Sequence, residues 1–391
     1  MGNCGCKEGS GERGQIEVRN RNDGIVDANM EELEKAAITI QSHYKGQKVR
    51  NQVHATPQDP HEARYESYNT GYTTPQDANQ RRHQAYATPR NEETLTPEDH
   101  APPASFARVI DQIPNYGNVN TVASAKKVGP FIYNADDERD AHLPNMGPYE
   151  LENSAIYIGQ WRTGLRHGRG KQIWQDGSVY EGYWKNNMAN GRGRLIHKDG
   201  DVYEGQWLND KAHGKGKYIY VNGTVYEGDW VNDKQNGYGV EIWPDGARHE
   251  GQYRGGLKEG YGKFIWADGS KYEGDFHNGN IEGRGVYQWA DGRKYEGEWK
   301  NNKMHGRGVF VWIDGRSYEG EYIDDKKHGY GVFIWADKRR YEGNWFNGRQ
   351  HGRGVYVTGN TRREGEWQDG KRIRWFDGDD HKQSGVEDIT F

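Results

Sequence analysis

Residues Tyr295 to Ser317 read YEGEWKNNKMHGRGVFVWIDGRS, and close copies of this unit fill the chain from Tyr157 to Arg362. The first residues of consecutive units are 23 positions apart. They are Tyr157, Tyr180, Tyr203, Tyr226, His249, Tyr272, Tyr295, Tyr318 and Tyr341. A fixed period of this length indicates a repeat array, in which each unit buries its apolar surface against its neighbours.

Each unit has the pattern of a β-hairpin. Side chains alternate between the two faces of a strand, so Tyr295, Gly297 and Trp299 point to the same side. After a polar turn, a second strand runs from Gly306 to Trp312 and places its glycines and aromatic rings on one face. Asp-Gly and Asn-Gly pairs between units supply the positive φ angles of tight turns. The sequence therefore predicts an all-β fold, an elongated, twisted, single-layer antiparallel sheet of tandem 23-residue hairpins.

Glycine inside a strand often marks a place where a large group approaches the backbone, and here the large groups are Tyr and Trp rings. A single-layer sheet exposes both faces, and an exposed aromatic face of this length is typical of a binding surface. We therefore predict a partner-binding groove. Its residues are Tyr180, Trp184, Tyr203, Trp207, Tyr226, Trp230, Tyr272, Tyr295, Trp299, Phe310, Trp312, Tyr318, Phe333, Trp335, Tyr341 and Trp345.

The array resembles the MORN (membrane occupation and recognition nexus) repeat family. The resemblance rests on Tyr-Glu-Gly-x-Trp, then Gly-x-Gly, then Asp-Gly, in nine units at constant spacing. Departures are local, such as His249 in place of the opening Tyr and Phe276 in place of Trp. An active site on a periodic scaffold should appear as a break in the period, and none is visible, so we predict a non-enzymatic binding array.

The chain begins Met1-Gly2-Asn3-Cys4-Gly5-Cys6, the pattern of a lipidation signal. After removal of the initiator methionine, Gly2 can accept myristate, and Cys4 and Cys6 can accept palmitate. One myristoyl chain binds membranes only marginally, so the cysteines would supply the second signal that stable anchoring requires. The alternative is a glycine-rich terminus with two incidental cysteines. On the first interpretation the protein lies on the cytoplasmic face of a plasma, cortical or ciliary membrane, associated with the cytoskeleton.

An amphipathic helix is predicted from residue 29 to 54, because its apolar residues recur at helical spacing. Within it, Ile40, Gln41, Lys45, Gly46 and Arg50 resemble the IQ motif. That resemblance implies binding of calmodulin or a related EF-hand light chain, either calcium-free or calcium-loaded. The alternative is a surface helix that packs on the array or lies on the membrane.

The composition divides the chain into five parts. We predict an acylated, flexible N-terminus (1–28), the IQ-like helix (29–54), a mostly disordered linker (55–145), the repeat array (146–376) and a polar C-terminal tail (377–391). Four Thr-Pro pairs in the linker are either kinase sites or simple turns. Apolar residues at helical spacing predict a short helix near 105–113 inside the linker.

The formal net charge of −5 and the absence of a strongly basic face argue against nucleic-acid binding. No catalytic, metal or cofactor site is predicted. Histidines such as His213 and His305 precede the Gly-x-Gly pair, but Asn190 and Glu259 occupy the same position, so we interpret it as a turn position.

We therefore predict a membrane-anchored scaffold whose array binds a protein partner and whose IQ-like helix binds an EF-hand protein. One alternative is a phosphoinositide-binding module that uses basic turn residues such as Lys326-Lys327 or Lys338-Arg339-Arg340 and tethers membrane to cytoskeleton. Another is a regulatory partner that acts in trans on a lipid kinase.

Overall fold

The computed structural model describes residues 96–103, 105–134 and 140–376. The described part is mostly one open antiparallel sheet of 22 strands, which confirms the predicted fold class. Each strand pairs with the next strand in the chain, from the first to the last. Among the described residues, neither helix is long and apolar enough to span a bilayer.

Two helices and two strands precede the repeats: α1 (Pro97–His100), β1 (Ala107–Val109), α2 (Val119–Val128) and β2 (Asn145–Leu151). The first four repeats contribute β3 (Ile156–Arg162), β4 (Leu165–Ile173), β5 (Val179–Lys185), β6 (Met188–Ile196), β7 (Val202–Leu208), β8 (Lys211–Ile219), β9 (Val225–Val231) and β10 (Lys234–Ile242). The fifth to seventh contribute β11 (Arg248–Arg254), β12 (Leu257–Ile265), β13 (Lys271–His277), β14 (Asn280–Gln288), β15 (Lys294–Lys300) and β16 (Lys303–Val311). The last two contribute β17 (Ser317–Ile323), β18 (Lys326–Ile334), β19 (Arg340–Phe346) and β20 (Arg349–Thr358), and β21 (Thr361–Gln368) and β22 (Lys371–Trp375) follow.

Two kinds of turn alternate along the array. Inside the seventh repeat, Asn301 and Asn302 have φ angles of 48° and 64°, which Asn adopts more readily than most residues. Between repeats, Gly315 has a φ of 85° and donates its backbone N–H to the Trp312 carbonyl at 3.1 Å. Asp314 supports this second turn, because its Oδ1 accepts the N–H of Arg316 at 3.1 Å. The turn residues that the sequence singled out therefore fix the hairpin register.

The prediction of a helix near 105–113 is wrong. Ala107–Val109 forms β1, which pairs with Tyr149–Leu151 of β2. This pairing joins residues about 40 positions apart, and Arg108 adds an ion pair with Glu150 at 2.5 Å. Local periodicity cannot reveal such a contact. The helix of this region is α2 instead, which Asn118 caps by accepting the N–H groups of Asn120 and Thr121.

Candidate binding site: the two faces of the repeat array

The aromatic face, which carries Tyr295, Trp299 and their counterparts in the other repeats, is the core of the array. All sixteen residues predicted to line a partner groove are buried, with exposed fractions between 0% and 8%. We therefore correct the expectation of an open aromatic groove: these side chains are packed against each other and leave almost no surface for a partner.

Glycine pairs make this burial possible. Gly297 and Gly308 lie opposite each other in register, and the Tyr295 ring lies on Gly308. A Cβ atom built on Gly308 would be 2.5 Å from Cε2 and from Cζ of Tyr295, so only glycine fits there. The Tyr295 hydroxyl donates to the Glu298 carbonyl at 3.0 Å, and burial raises the pKa of this tyrosine above its ordinary value. The glycines thus form a trough in the sheet that the rings fill.

Edge-to-face contacts join the rings of successive repeats. Tyr295 and Trp299 have centroids 5.0 Å apart at 90°, and Trp299 also meets Tyr272 of the preceding repeat at 5.7 Å and 85°. The Trp299 indole N–H donates to the Gly285 carbonyl at 3.1 Å, which adds a polar bond between repeats. Such aromatic pairs contribute about 0.5–1.5 kcal/mol beyond area burial. The aromatic face is therefore a structural spine.

The spine has a polar interruption where the fourth and fifth repeats meet. The Glu241 carboxylate is 3.2 Å from Lys258 Nζ and accepts the Tyr253 hydroxyl at 3.2 Å. Tyr253 also contacts Nδ1 of His249 at 2.9 Å. These four residues are at most 3% exposed. Burial, followed by the Lys258 charge, holds the pKa of His249 well below its usual value.

We did not predict this network, although the sequence contains a signal for it. Phe264, Phe310 and Phe333 occupy the position of Glu241 in later repeats. Ile281 and Met304 occupy that of Lys258 in the next two repeats, and a lysine recurs there only in the eighth, at Lys327. A paired carboxylate and ammonium thus replace two apolar residues in the same part of the array, where His249 also replaces the opening tyrosine. Two opposite charges buried this deeply offset part of each other's desolvation cost when they pair, so the joint departure predicts a contact.

A second buried cation, Lys327, was one of the proposed phosphoinositide ligands, and its burial argues against that role. Lys327 is 1% exposed, and its Nζ lies 4.5 Å from the centroid of Phe333 and 4.8 Å from that of Trp345. An ammonium enclosed by rings is stabilised by cation–π attraction and cannot reach a lipid headgroup. Lys326 and Lys338 are exposed.

The polar face lies opposite the spine and carries rows of charged and aliphatic side chains. In the seventh repeat these are Glu296 on β15 and Arg307, Val309 and Val311 on β16. Neighbouring strands continue the rows in register, with Val309 opposite Glu319 of β17. This face, unlike the aromatic one, presents side chains that a partner can reach.

Over the first two repeats, residues 115–134 of the chain cover the polar face. We call them the covering segment. Asn118 donates to the carbonyls of Asp176 and Lys198 at 3.1 and 2.9 Å, and Ser124 donates to that of Gly200 at 2.6 Å. The helix α2 is thereby fixed along the turns between repeats.

The residues after α2 cross the strands with aromatic side chains. The Arg194 guanidinium donates to the Gly129 carbonyl at 2.7 Å. Arg192 lies over the Phe131 ring at 5.5 Å, and Arg169 lies over the Tyr133 ring at 5.6 Å. Burial raises the pKa of Tyr133 to about 12. The polar face of this array thus binds a peptide segment, in this case its own.

The lipidation residues Gly2, Cys4 and Cys6 and the IQ-like residues Ile40, Gln41, Lys45, Gly46 and Arg50 lie outside the described residues. Those predictions therefore stay predictions here. Within residues 96–376, apart from the gaps at 104 and 135–139, no cluster of His, Cys, Asp and Glu has the arrangement of a metal site.

The sequential hairpins, with glycines beneath the aromatic rings, make this chain a tandem β-hairpin repeat protein. The MORN repeat family model matches nine segments: 157–179, 180–202, 203–225, 226–248, 249–271, 272–292, 295–315, 318–338 and 341–361. Together they cover just over half of the chain, which therefore belongs to the MORN repeat family. A second model, the IQ calmodulin-binding motif, matches residues 34–54. Both predicted resemblances are confirmed.

No curated protein matches the chain. Among solved structures, the chain is similar to the TCP domain of Drosophila melanogaster SAS-4 in complex with a proline-rich motif of Ana2, at 12% identity and a TM-score of 0.26. This match covers 50% of the present chain and 96% of the other. The TCP10 domain of Danio rerio CPAP matches at 11% identity and a TM-score of 0.29, with 50% and 92% coverage. TM-scores this low support no inference about function.

Proposed function

We propose that this protein is a non-enzymatic scaffold at the cytoplasmic face of a membrane, where it joins an EF-hand protein to a second protein partner. The two matched families establish a repeat scaffold with calmodulin-binding capacity. The membrane anchor, the second partner and the absence of catalysis are the proposed part.

The observation that carries the proposal is that one chain joins an IQ motif at residues 34–54 to a long array with an accessible polar face. Calmodulin grips basic amphipathic helices through an apolar groove with an acidic rim. Ile40 would enter that groove, and the cations Lys45 and Arg50 would meet the rim. Recruitment and partner binding are then carried out by separate parts of the chain.

The anchor is proposed from Gly2, Cys4 and Cys6, with the membrane being the plasma membrane or a cortical or ciliary one. Acylation at two or more of these positions provides the two signals that stable attachment requires. Lys327 cannot contribute to the phosphoinositide alternative, because it is buried. No observation of the structure favours the kinase alternative.

Calorimetry of the full-length chain with calmodulin, with and without calcium, tests the central claim. Ile40→Ala with Gln41→Ala is expected to weaken binding at least about thirtyfold, because a central apolar anchor contributes about 2 kcal/mol or more. Ser42→Ala with Gln47→Ala, at two positions outside the proposed contacts, is the matched control and should bind as the wild type does. A wild-type chain without measurable affinity in either condition would contradict the proposal.

A further inference from the structure

The polar face of the seventh and eighth repeats forms a cleft that is an open copy of the surface under the covering segment. Its volume is about 730 Å³, and Arg307, Val309, Glu319 and Tyr330 are among the residues that line it. Because the period is 23 residues, each of these positions has a counterpart five repeats earlier. Arg192 and Arg194 lie under the covering segment, and Glu204 and Lys215 lie beside it on the third repeat. The two regions can therefore be compared residue by residue.

Burial shows that one copy is occupied and the other is open. Arg194 and Ile196, beneath the covering segment, are 6% and 4% exposed. Val309 and Val311, five repeats further on, occupy the same positions and are 36% and 41% exposed. The difference follows from the covering segment, since both pairs lie on the same face of the same sheet.

The two arginines that stack on rings in the covered copy also recur in the open copy. Arg307 and Arg284 take the positions of Arg192 and Arg169, which hold the rings of Phe131 and Tyr133. Both Arg284 and Arg307 are exposed, and no ring lies over either of them within the described residues. Each is thus ready to stack on an aromatic ring.

One difference between the copies determines the charge of the occupant. In the covered copy, Glu204 pairs with Arg194 at 2.7 Å and with Arg192 at 2.9 Å. In the open copy, Glu319 takes the position of Glu204, but Val309 replaces Arg194. Glu319 has no ion-pair partner among the described side chains. A cation from the occupant, at the position that Gly129 holds in the covering segment, would take the place of the Arg194 partner. Gly129 has a φ of 73°, so the occupant's backbone must relax there to the negative φ of an ordinary residue.

We propose that this cleft, together with Arg284 of the adjoining sixth repeat, binds an extended segment of a partner protein with a basic residue followed, at the second and fourth positions after it, by aromatic residues. The basic side chain pairs with Glu319, the first ring lies on Arg307 and the second on Arg284. The inference rests on the proposed scaffold function and names the chemistry of the array's partner.

Photo-crosslinking to the full-length chain tests the site. The probe is a synthetic peptide of residues 115–134 with Gly129→Lys and with p-benzoylphenylalanine at the position of Phe131. The chain's own covering segment occupies the first two repeats, so the probe is expected to crosslink within residues 280–334. A matched probe with Gly129→Glu should crosslink at least about tenfold less, which corresponds to about 1.4 kcal/mol.

Protein variants separate the contacts. Arg307→Ser should lower the yield of the lysine probe, and Glu319→Lys should reverse the preference, so that the glutamate probe reacts better. Arg254→Ser removes an equal charge from an exposed position of the fifth repeat and should change nothing.

Crosslinks outside residues 280–334, or equal yields from the two probes, would overturn the proposal. So would a full-length dimer that Arg307→Ser makes monomeric, since a second copy would then fill the cleft. Calmodulin binding is measured independently, so its loss would contradict the scaffold function, whereas failed crosslinking with intact calmodulin binding would contradict only this site.

Discussion

Replacing Gly308 with valine tests whether the glycine trough holds the array together. A Cβ at this position would be 2.5 Å from two carbons of the Tyr295 ring, about 1 Å closer than ordinary van der Waals contact. The ring cannot simply move aside, because the rings of Trp299 and Tyr322 pack against it with centroid distances of 5.0 and 5.3 Å. Overpacking of this kind costs about 1–3 kcal/mol.

Hydrogen exchange of the full-length protein, followed by mass spectrometry, measures the effect. Amide opening in β15 and β16 is expected to increase about 5- to 150-fold, the equivalent of that free energy. Nearest-neighbour coupling should carry a smaller increase into β13, β14, β17 and β18, and leave the first two repeats unchanged.

Gly262 offers a matched control within the chain. There the ring is the smaller His249, and only its Nε2, at 2.8 Å, lies within 3 Å of a Cβ built on the glycine. Gly262→Ala is therefore expected to destabilise the protein less than Gly308→Ala. Unchanged exchange from Tyr272 to Arg340 in Gly308→Val would refute the account of the spine.

Three further predictions concern other parts of the chain. Gly2→Ala should move the protein from the membrane fraction to the soluble fraction, because the cysteines need myristate to meet their acyltransferase; unchanged fractionation would contradict the anchor. Burial raises the pKa of Asp325 to about 6, so its ionisation lowers the free energy of unfolding as pH rises from 4 to 7. Asp325→Asn should therefore unfold in urea at pH 7 with a free energy up to about 3 kcal/mol higher than that of the wild type, and with no advantage at pH 4. Lys258→Met should cost about 3–5 kcal/mol in the same unfolding measurement, because it leaves Glu241 buried without its cation. Adding Glu241→Phe should restore most of this stability. Equal stability of the single and double variants would show that the pair is not coupled.

The sequence predicted the hairpins well because their determinants are local. The alternation around Tyr295 and Trp299 assigned these rings to one face, and the structure confirms that assignment. It did not reveal that this face is closed, because alternation states which side chains share a face and not what covers them. The closure comes from glycine pairs such as Gly297 and Gly308, whose missing side chains let the rings lie on the backbone of their own sheet.

The candidate site was harder to predict than the fold. β1 and the covering segment lie in a region whose composition is typical of a linker, and their contacts with the array join residues about 40 to 80 positions apart. Phe131 and Tyr133 have no periodic pattern of their own; they become interpretable only once Arg192 and Arg169 are known to face them. The polar face was therefore visible in the sequence as a row of charges but not as a binding surface.

The strictly sequential strand order also determines how the array responds to mechanical load. Tension applied between its two ends acts on the hydrogen bonds of successive strand pairs in series, so an end hairpin yields before its neighbours. Each released repeat of 23 residues adds about 80 Å of extended chain in place of about 10 Å of folded sheet. The array is therefore an extensible tether with nearly equal increments of length, and single-molecule pulling would record it as a ladder of regular steps.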